Sequence, residues 1–199
     1  MFGTSAILVP LGLRIASFEG LAGWAVGGGA LLVYYGWQLS ETRISARETR
    51  RAEDALPDAS LPFASLSKIT FQVAFLAGGG DPAWDLGGAG LALLVGGISL
   101  RTWAVRALGP AYSHRFRLPE AVVTRGPYRR IRHPAYAGTW IAHAGIPLVF
   151  PNPYAAAAFA LLWTPAVLWR TVVEDRLLRQ DPAYAAYAAG TRRLIPGVW

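Results

Sequence analysis

The chain has no cysteine and a single methionine in 199 residues. Without cysteine there is no disulfide, no thiolate nucleophile and no cysteine-held metal. No G-x-G-x-x-G motif follows a strand and opens a helix, so a Rossmann-type nucleotide fold has no support. The three histidines, His114, His133 and His143, lack a paired-ligand spacing such as H-E-x-x-H, which argues against a zinc site. Charge is also scarce. Charged residues make up 16% of the chain against 53% hydrophobic, and the mean hydropathy is +0.31. The balance is basic, net +7 at pH 7. Where those charges fall speaks against nucleic acid as the partner.

What is present fits a polytopic membrane protein of one domain. Five segments read as spans. Leu21–Leu39 carries no charge, and Leu61–Gly80 carries only Lys68. Leu86–Leu100 is uncharged, and its helix is expected to continue through Arg101 to Leu108. Tyr136–Phe150 and Tyr154–Trp169 form a hairpin across Pro151-Asn152-Pro153. Both are short for a hydrocarbon core of roughly 30 Å, so their ends are expected near the interface. Ser5–Phe18 is apolar but short and carries Arg14; it either lies in the interface or spans. Gly27–Gly29 suggest close helix packing. The expected fold is all-α: residues 1–108 supply the N-terminal spans, and residues 109–199 a cofactor-binding and catalytic half.

Arginine sets the expected orientation. The Ser40–Ser60 loop carries Arg43, Arg47, Arg50 and Arg51; the Gly109–Ala135 loop carries six arginines; the tail after Trp169 carries five. The opposite loops, Gly78–Asp85 and Pro151–Pro153, have no Lys or Arg. Positive-inside bias puts the basic segments in the cytoplasm and the N-terminus outside. Most of these arginines need do no more than fix topology and touch anionic headgroups.

Three features exceed that role. Arg101 lies about two helical turns deeper than Leu108, where an unpaired charge is costly. Arg125–Gly138, R-G-P-Y-R-R-I-R-H-P-A-Y-A-G, opens directly into 36 residues, Pro134 to Trp169, with no charged side chain. Pro134 suits a helix start, whose free N–H groups beside Arg132 and His133 would favour an anion. Arg170 and Glu174 share a helix face at i and i+4, and Glu174-Asp175 are adjacent carboxylates placed to meet a cation. A cationic loop at a hydrocarbon boundary is what joining a charged cofactor to a lipophilic substrate requires.

At these positions the chain resembles the isoprenylcysteine carboxyl methyltransferase and phospholipid methyltransferase superfamily. In order, the resemblance rests on Arg101, Leu108-Gly109 and Ser113-His114; then Gly126-Pro127-Tyr128 and Arg132-His133-Pro134 with Tyr136 and Gly138. It continues through Asn152-Pro153, Arg170-Thr171 with Glu174-Asp175 and Leu178, and Tyr184, Tyr187 and Arg193 before Ile195-Pro196-Gly197. Two departures stand out. The family's paired glutamates are Glu174-Asp175 here, and Asp181-Pro182 replaces the usual phenylalanine-glycine.

The resemblance implies an integral membrane methyltransferase that uses S-adenosylmethionine. Tyr128, Arg132, His133, Pro134, Tyr136, Gly138, Glu174, Asp175 and Arg193 are the expected cofactor-binding set. Glu174 and Asp175 suit its cationic groups; an arginine or histidine suits its carboxylate. Tyr128, Tyr136 and the Leu194–Trp199 tail suit its adenine. Arg101, Tyr136, Arg170 and Glu174 are the catalytic candidates. A carboxylate acceptor needs no base and would be oriented by Arg101 and Arg170, with a hydrogen bond from Tyr136. An amine acceptor needs a base, and Glu174 is the candidate. The expected partners are a lipophilic methyl acceptor and membrane lipid. NADPH-dependent membrane sterol and steroid reductases share the arginine-histidine-proline element and offer a second reading. A non-catalytic lipid-binding protein is a third.

Overall fold

The computed structural model describes residues 10–48, 58–78, 81–82, 84–116 and 121–195, and these are helical with one isolated parallel bridge, Ile131 to Arg192. Helix α1 covers residues 10–16 and leads to α2 (Gly20–Ala22). A π-helical segment, Gly23–Gly28, then runs into α3 (Gly29–Glu48). Next come α4 (Ser60–Ala77), α5 (Trp84–Leu108) and α6 (Pro134–Val149). The last long rod is α7 (Pro153–Ala158), a π-helical segment Phe159–Trp163, and α8 (Thr164–Leu178). Helix α9 (Pro182–Gly190) follows.

Among the described residues three helices are long and apolar enough to cross a membrane: Ser60–Ala77, Trp84–Ala111 and Pro153–Leu178. Leucine and tryptophan side chains at Leu66, Trp103 and Leu161 stand exposed on their outer faces, as lipid-facing residues do. The helix of the last expected span runs on beyond Trp169, as Arg170 and Glu174 on one helix face require. No proline or glycine falls within 166–178, so α8 carries Arg170, Glu174 and Asp175 onward as part of one rod. Helix α6 is short, 16 residues, as expected. Of the apolar N-terminal stretch Ser5–Phe18, residues 5–9 lie outside the described residues.

Local signals explain the boundaries. The side chain of Asn152 accepts from Ala155 N at 2.7 Å, and Pro153 takes the first helical position, so the hairpin ends in a capped helix start. Asp181 caps α9 in the same way, accepting from Ala183 N and Tyr184 N, with Pro182 following. The Asp181-Pro182 departure is thus a helix start. Helices α5 and α6 pack closely enough for backbones to touch. A Cβ on Gly138 would stand 2.6 Å from Arg101 N and from Gly97 O, and one on Gly90 would stand 2.5 Å from Gly145 O. Small residues permit this approach where lipid offers no hydrophobic drive between helices.

Candidate active site

The α5–α6 contact fixes where Arg101 sits. It is 7% exposed and makes a two-pronged bond to Glu41 on α3: Nε to Oε1 at 2.8 Å and Nη2 to Oε2 at 2.6 Å. The guanidinium also donates to the Tyr112 hydroxyl (2.7 Å) and to Thr139 Oγ1 (2.9 Å). Burial pushes the Tyr112 hydroxyl up to about 12, so it stays protonated at neutral pH. Arg170 is held in a parallel way. Its Nη1 meets Asp58 Oδ2 at 2.5 Å, its Nη2 bonds the His114 carbonyl, and its guanidinium lies 4.5 Å from the Phe116 ring centroid. Asp58 Oδ1 meanwhile accepts from Ser60 N and Leu61 N, which starts α4. Arg101 and Arg170, expected to orient the acceptor, both stand in ion pairs. Each is neutralised by a carboxylate from the N-terminal half.

Asp175 is the second organising centre. It is 1% exposed, and its two oxygens accept from Arg132 Nε (2.7 Å), His133 Nε2 (3.2 Å), Arg179 Nε (3.1 Å) and Arg193 Nη2 (3.1 Å). The Tyr184 hydroxyl adds a bond at 3.3 Å. Arg132 also donates to the carbonyls of Ala188 and Thr191. Backbone bonds from Arg132 N to Arg192 O (2.8 Å) and His133 N to Arg193 O (3.0 Å) tie the loop to the tail. Asp175 thus clasps the arginine-rich loop, α8, α9 and the tail together.

One cavity of about 470 Å³ opens beside this clasp, within the range of roughly 300–1,000 Å³ typical of ligand sites. It runs between Tyr184, Tyr187 and His133 at the charged end and Trp37, Lys68 and Trp163 among the helices. Of the expected residues, Arg101, Tyr128, Arg132, His133, Tyr136, Arg170 and Glu174 line it. Pro134, Gly138, Asp175 and Arg193 do not. Pro134 starts α6, Gly138 lets α5 approach, and Asp175 and Arg193 belong to the clasp. Tyr187 donates to the Tyr128 carbonyl at 2.6 Å, and burial holds its hydroxyl up at about 12.

Glu174 differs from its neighbour Asp175 although the two are adjacent. Its Oε2 is buried without a hydrogen-bond partner among the described residues. A buried carboxylate oxygen left so is costly unless a donor or cation arrives. The residues present therefore fit a ligand with a cationic centre near Glu174, aromatic walls from Tyr128 and Tyr136, and donors around His133 and Arg132. From the expected tail wall, Leu194 is buried against Ile131 and Ala137, while residues 196–199 lie outside the described residues. Sequence reading missed Glu41 and Asp58. The signal available was that the acids are few, so each one near a span end is a candidate partner for a deep arginine.

Comparison with known proteins bears on the same residues. The phospholipid methyltransferase family model matches residues 87–184. Protein-S-isoprenylcysteine O-methyltransferase A of Arabidopsis thaliana is 29% identical over 58% of this chain and 61% of its own. The B protein of that plant is 32% identical over the same shares. A probable protein-S-isoprenylcysteine O-methyltransferase of Oryza sativa subsp. indica is 33% identical over 57% of this chain and 62% of its own. The chain thus spans about three fifths of these relatives' length. A solved structure of the eukaryotic intramembrane Ras methyltransferase, isoprenylcysteine carboxyl methyltransferase, superposes over 99% of this chain and 74% of that one. The TM-score is 0.63 at 20% identity, which shows a shared fold. The chain is thus similar, over about half its length, to phospholipid methyltransferases and isoprenylcysteine O-methyltransferases, and it shares the fold of the solved isoprenylcysteine carboxyl methyltransferase.

Proposed function

We propose that this protein is an S-adenosylmethionine-dependent methyltransferase acting on a lipophilic acceptor at the cytoplasmic membrane face, and that the acceptor class is an S-isoprenylcysteine carboxylate. The observation that carries the reading is Glu174: a buried carboxylate oxygen with no hydrogen-bond partner among the described residues, on the wall of a cavity that joins a cationic loop to apolar helices. Such a group suits the cationic end of the cofactor. Tyr128 and Tyr136 would flank its adenine, and Arg132 and His133, already oriented by Asp175, would stand near its carboxylate. When bound, the cofactor supplies a methyl group on a sulfonium; an acceptor carboxylate oxygen takes it, giving an ester and a neutral thioether.

The chain's own residues supply position. A carboxylate acceptor is already a nucleophile and needs no proton removed, so orientation and exclusion of water supply most of the acceleration. Arg101 and Arg170, through Glu41 and Asp58, hold α3, α4, α5 and α8 around the cavity. Titration calorimetry on purified protein tests the reading: saturable heat with S-adenosylmethionine in the micromolar range, roughly 7–8 kcal/mol, lost in Glu174→Ala and His133→Ala. Heat with NADPH and none with S-adenosylmethionine would move the assignment to the reductase class.

A further inference from the structure

Three hydrogen-bond donors stand on the wall of the cavity's deep end with no carboxylate in bonding contact; Glu41 acts on Lys68 only at longer range and is already paired with Arg101. Lys68 Nζ donates to the neutral Gln38 Oε1 at 2.6 Å, and no carboxylate lies within 4 Å of it among the described residues. Among the described residues the Nε2 amide of Gln38 and the indole Nε1 of Trp163, a residue 5% exposed, are buried without a hydrogen-bond partner. All three residues line the same cavity. Lys68 belongs to the α4 face that also gives Leu61, Ala64 and Ser65 to the wall, at helical i, i+3, i+4 and i+7 spacing. It sits eight residues beyond Ser60, about 12 Å along the helix from the Asp58–Arg170 pair. Trp163 sits eleven residues before Glu174, about 16 Å along its rod, and ends a π-helical segment, a distortion frequent at functional sites.

The physical argument runs through satisfaction. An ammonium at span depth with only a neutral partner is costly, and intramembrane charges ordinarily face a partner or a ligand. Burying an indole N–H and an amide N–H beside it compounds the cost. The two deep arginines cannot supply the missing charge, because they are cations already matched by Glu41 and Asp58. The cluster therefore lacks an anionic oxygen. Elsewhere in the same cavity an acid has room for a donor: Glu174 Oε2 makes no hydrogen bond among the described residues, although Arg170 acts on the carboxylate electrostatically. We propose that Lys68, with Gln38 and Trp163, binds the carboxylate of the lipophilic acceptor, taking the orienting role that the sequence suggests for Arg101 and Arg170. This rests on the methyltransferase reading for the acceptor's identity.

Direct binding to purified protein in nanodiscs tests it. The probes are N-acetyl-S-farnesylcysteine, its methyl ester, and phosphatidylethanolamine, read by tryptophan fluorescence or calorimetry. The acid should bind at least ten-fold more tightly than the ester. Lys68→Met should abolish that preference by weakening the acid alone, Lys68→Arg should keep it, and Trp163→Phe should weaken the acid about three-fold. S-adenosylmethionine affinity should stay unchanged in all three variants, which separates this site from the cofactor site. Equal binding of acid and ester by the unmodified protein, or a preference that survives Lys68→Met, overturns the proposal. So does Lys68-dependent binding of phosphatidylethanolamine in place of the acid. Absence of S-adenosylmethionine binding would instead count against the methyltransferase reading, and the acid–ester comparison would still report on Lys68.

Discussion

Glu174 and Asp175 are neighbours of similar chemistry, and isosteric amides should separate their roles. Asp175→Asn removes the charge that faces Arg132, His133, Arg179 and Arg193. Breaking a buried pair costs about 3–5 kcal/mol. Arg179 and Arg193 reach water with side chains 39% and 21% exposed, so the lower figure, about 3 kcal/mol, applies here. For a chain of this size that is a fall in Tm of roughly 6–12 °C. Glu174→Gln should leave Tm within about 2 °C, because its Oε2 has no hydrogen-bond partner among the described residues and an amide oxygen can still accept from the Tyr136 hydroxyl. It should weaken S-adenosylmethionine binding roughly 10- to 100-fold, the worth of one charge-assisted bond of about 1.5–3 kcal/mol. The assay is thermal unfolding in detergent by tryptophan fluorescence, with calorimetry of the folded variants at low temperature. If Asp175→Asn melts like the unmodified protein, or if Glu174→Gln is the more unstable of the two, the division into clasp and ligand-binding carboxylate is wrong.

Three further outcomes are expected. Arg101→Ala and Glu41→Ala should each destabilise, and a double-mutant cycle should return a coupling of about 1–3 kcal/mol; additive effects would mean the pair is not formed. Arg101→Lys should rescue poorly, since a lysine cannot reproduce the two-pronged contact. Gly138→Leu should prevent α5 and α6 from closing and lower yield and Tm together, whereas a leucine at Gly88, which has open space around it, should be tolerated. Single cysteines at Ala121 and Tyr154, both exposed and the only thiols in their chains, should label from opposite sides of a sealed vesicle; labelling from one side refutes the arginine-based topology.

Much of the frame is legible in the residue order. The expected continuation of the third span to Leu108 matches the end of α5, and Pro151-Asn152-Pro153 turns the chain where hairpin chemistry says it must. The arginine-rich loop leads into the α6 start that Pro134 marks, Glu174 shares a helix face with Arg170, and both reach one cavity. The ion pairs are a different matter. Glu41 lies 60 positions from Arg101, and Asp58 lies 112 from Arg170. No local pattern of period or capping joins residues so far apart. The resemblance was silent there too, since its motifs begin near Arg101. Nor does adjacency reveal that Glu174 and Asp175 differ. Their 100° separation around the helix turns one side chain into a ring of cations and the other towards the cavity.

Those long separations have a consequence for synthesis. Glu41 and Asp58 leave the ribosome well before the arginines that neutralise them. At roughly 5–20 residues per second, Glu41 waits about 3–12 s for Arg101, and Asp58 about 6–22 s for Arg170. Both acids sit at the charged ends of their helices, so they can remain hydrated during that delay and lose water only as the later helices dock. The first helices can thus enter the bilayer without dragging an unpaired anion through it. The arginines arrive last and act as latches, so a nascent chain halted before residue 170 would hold its early helices loosely and its second acid still wet.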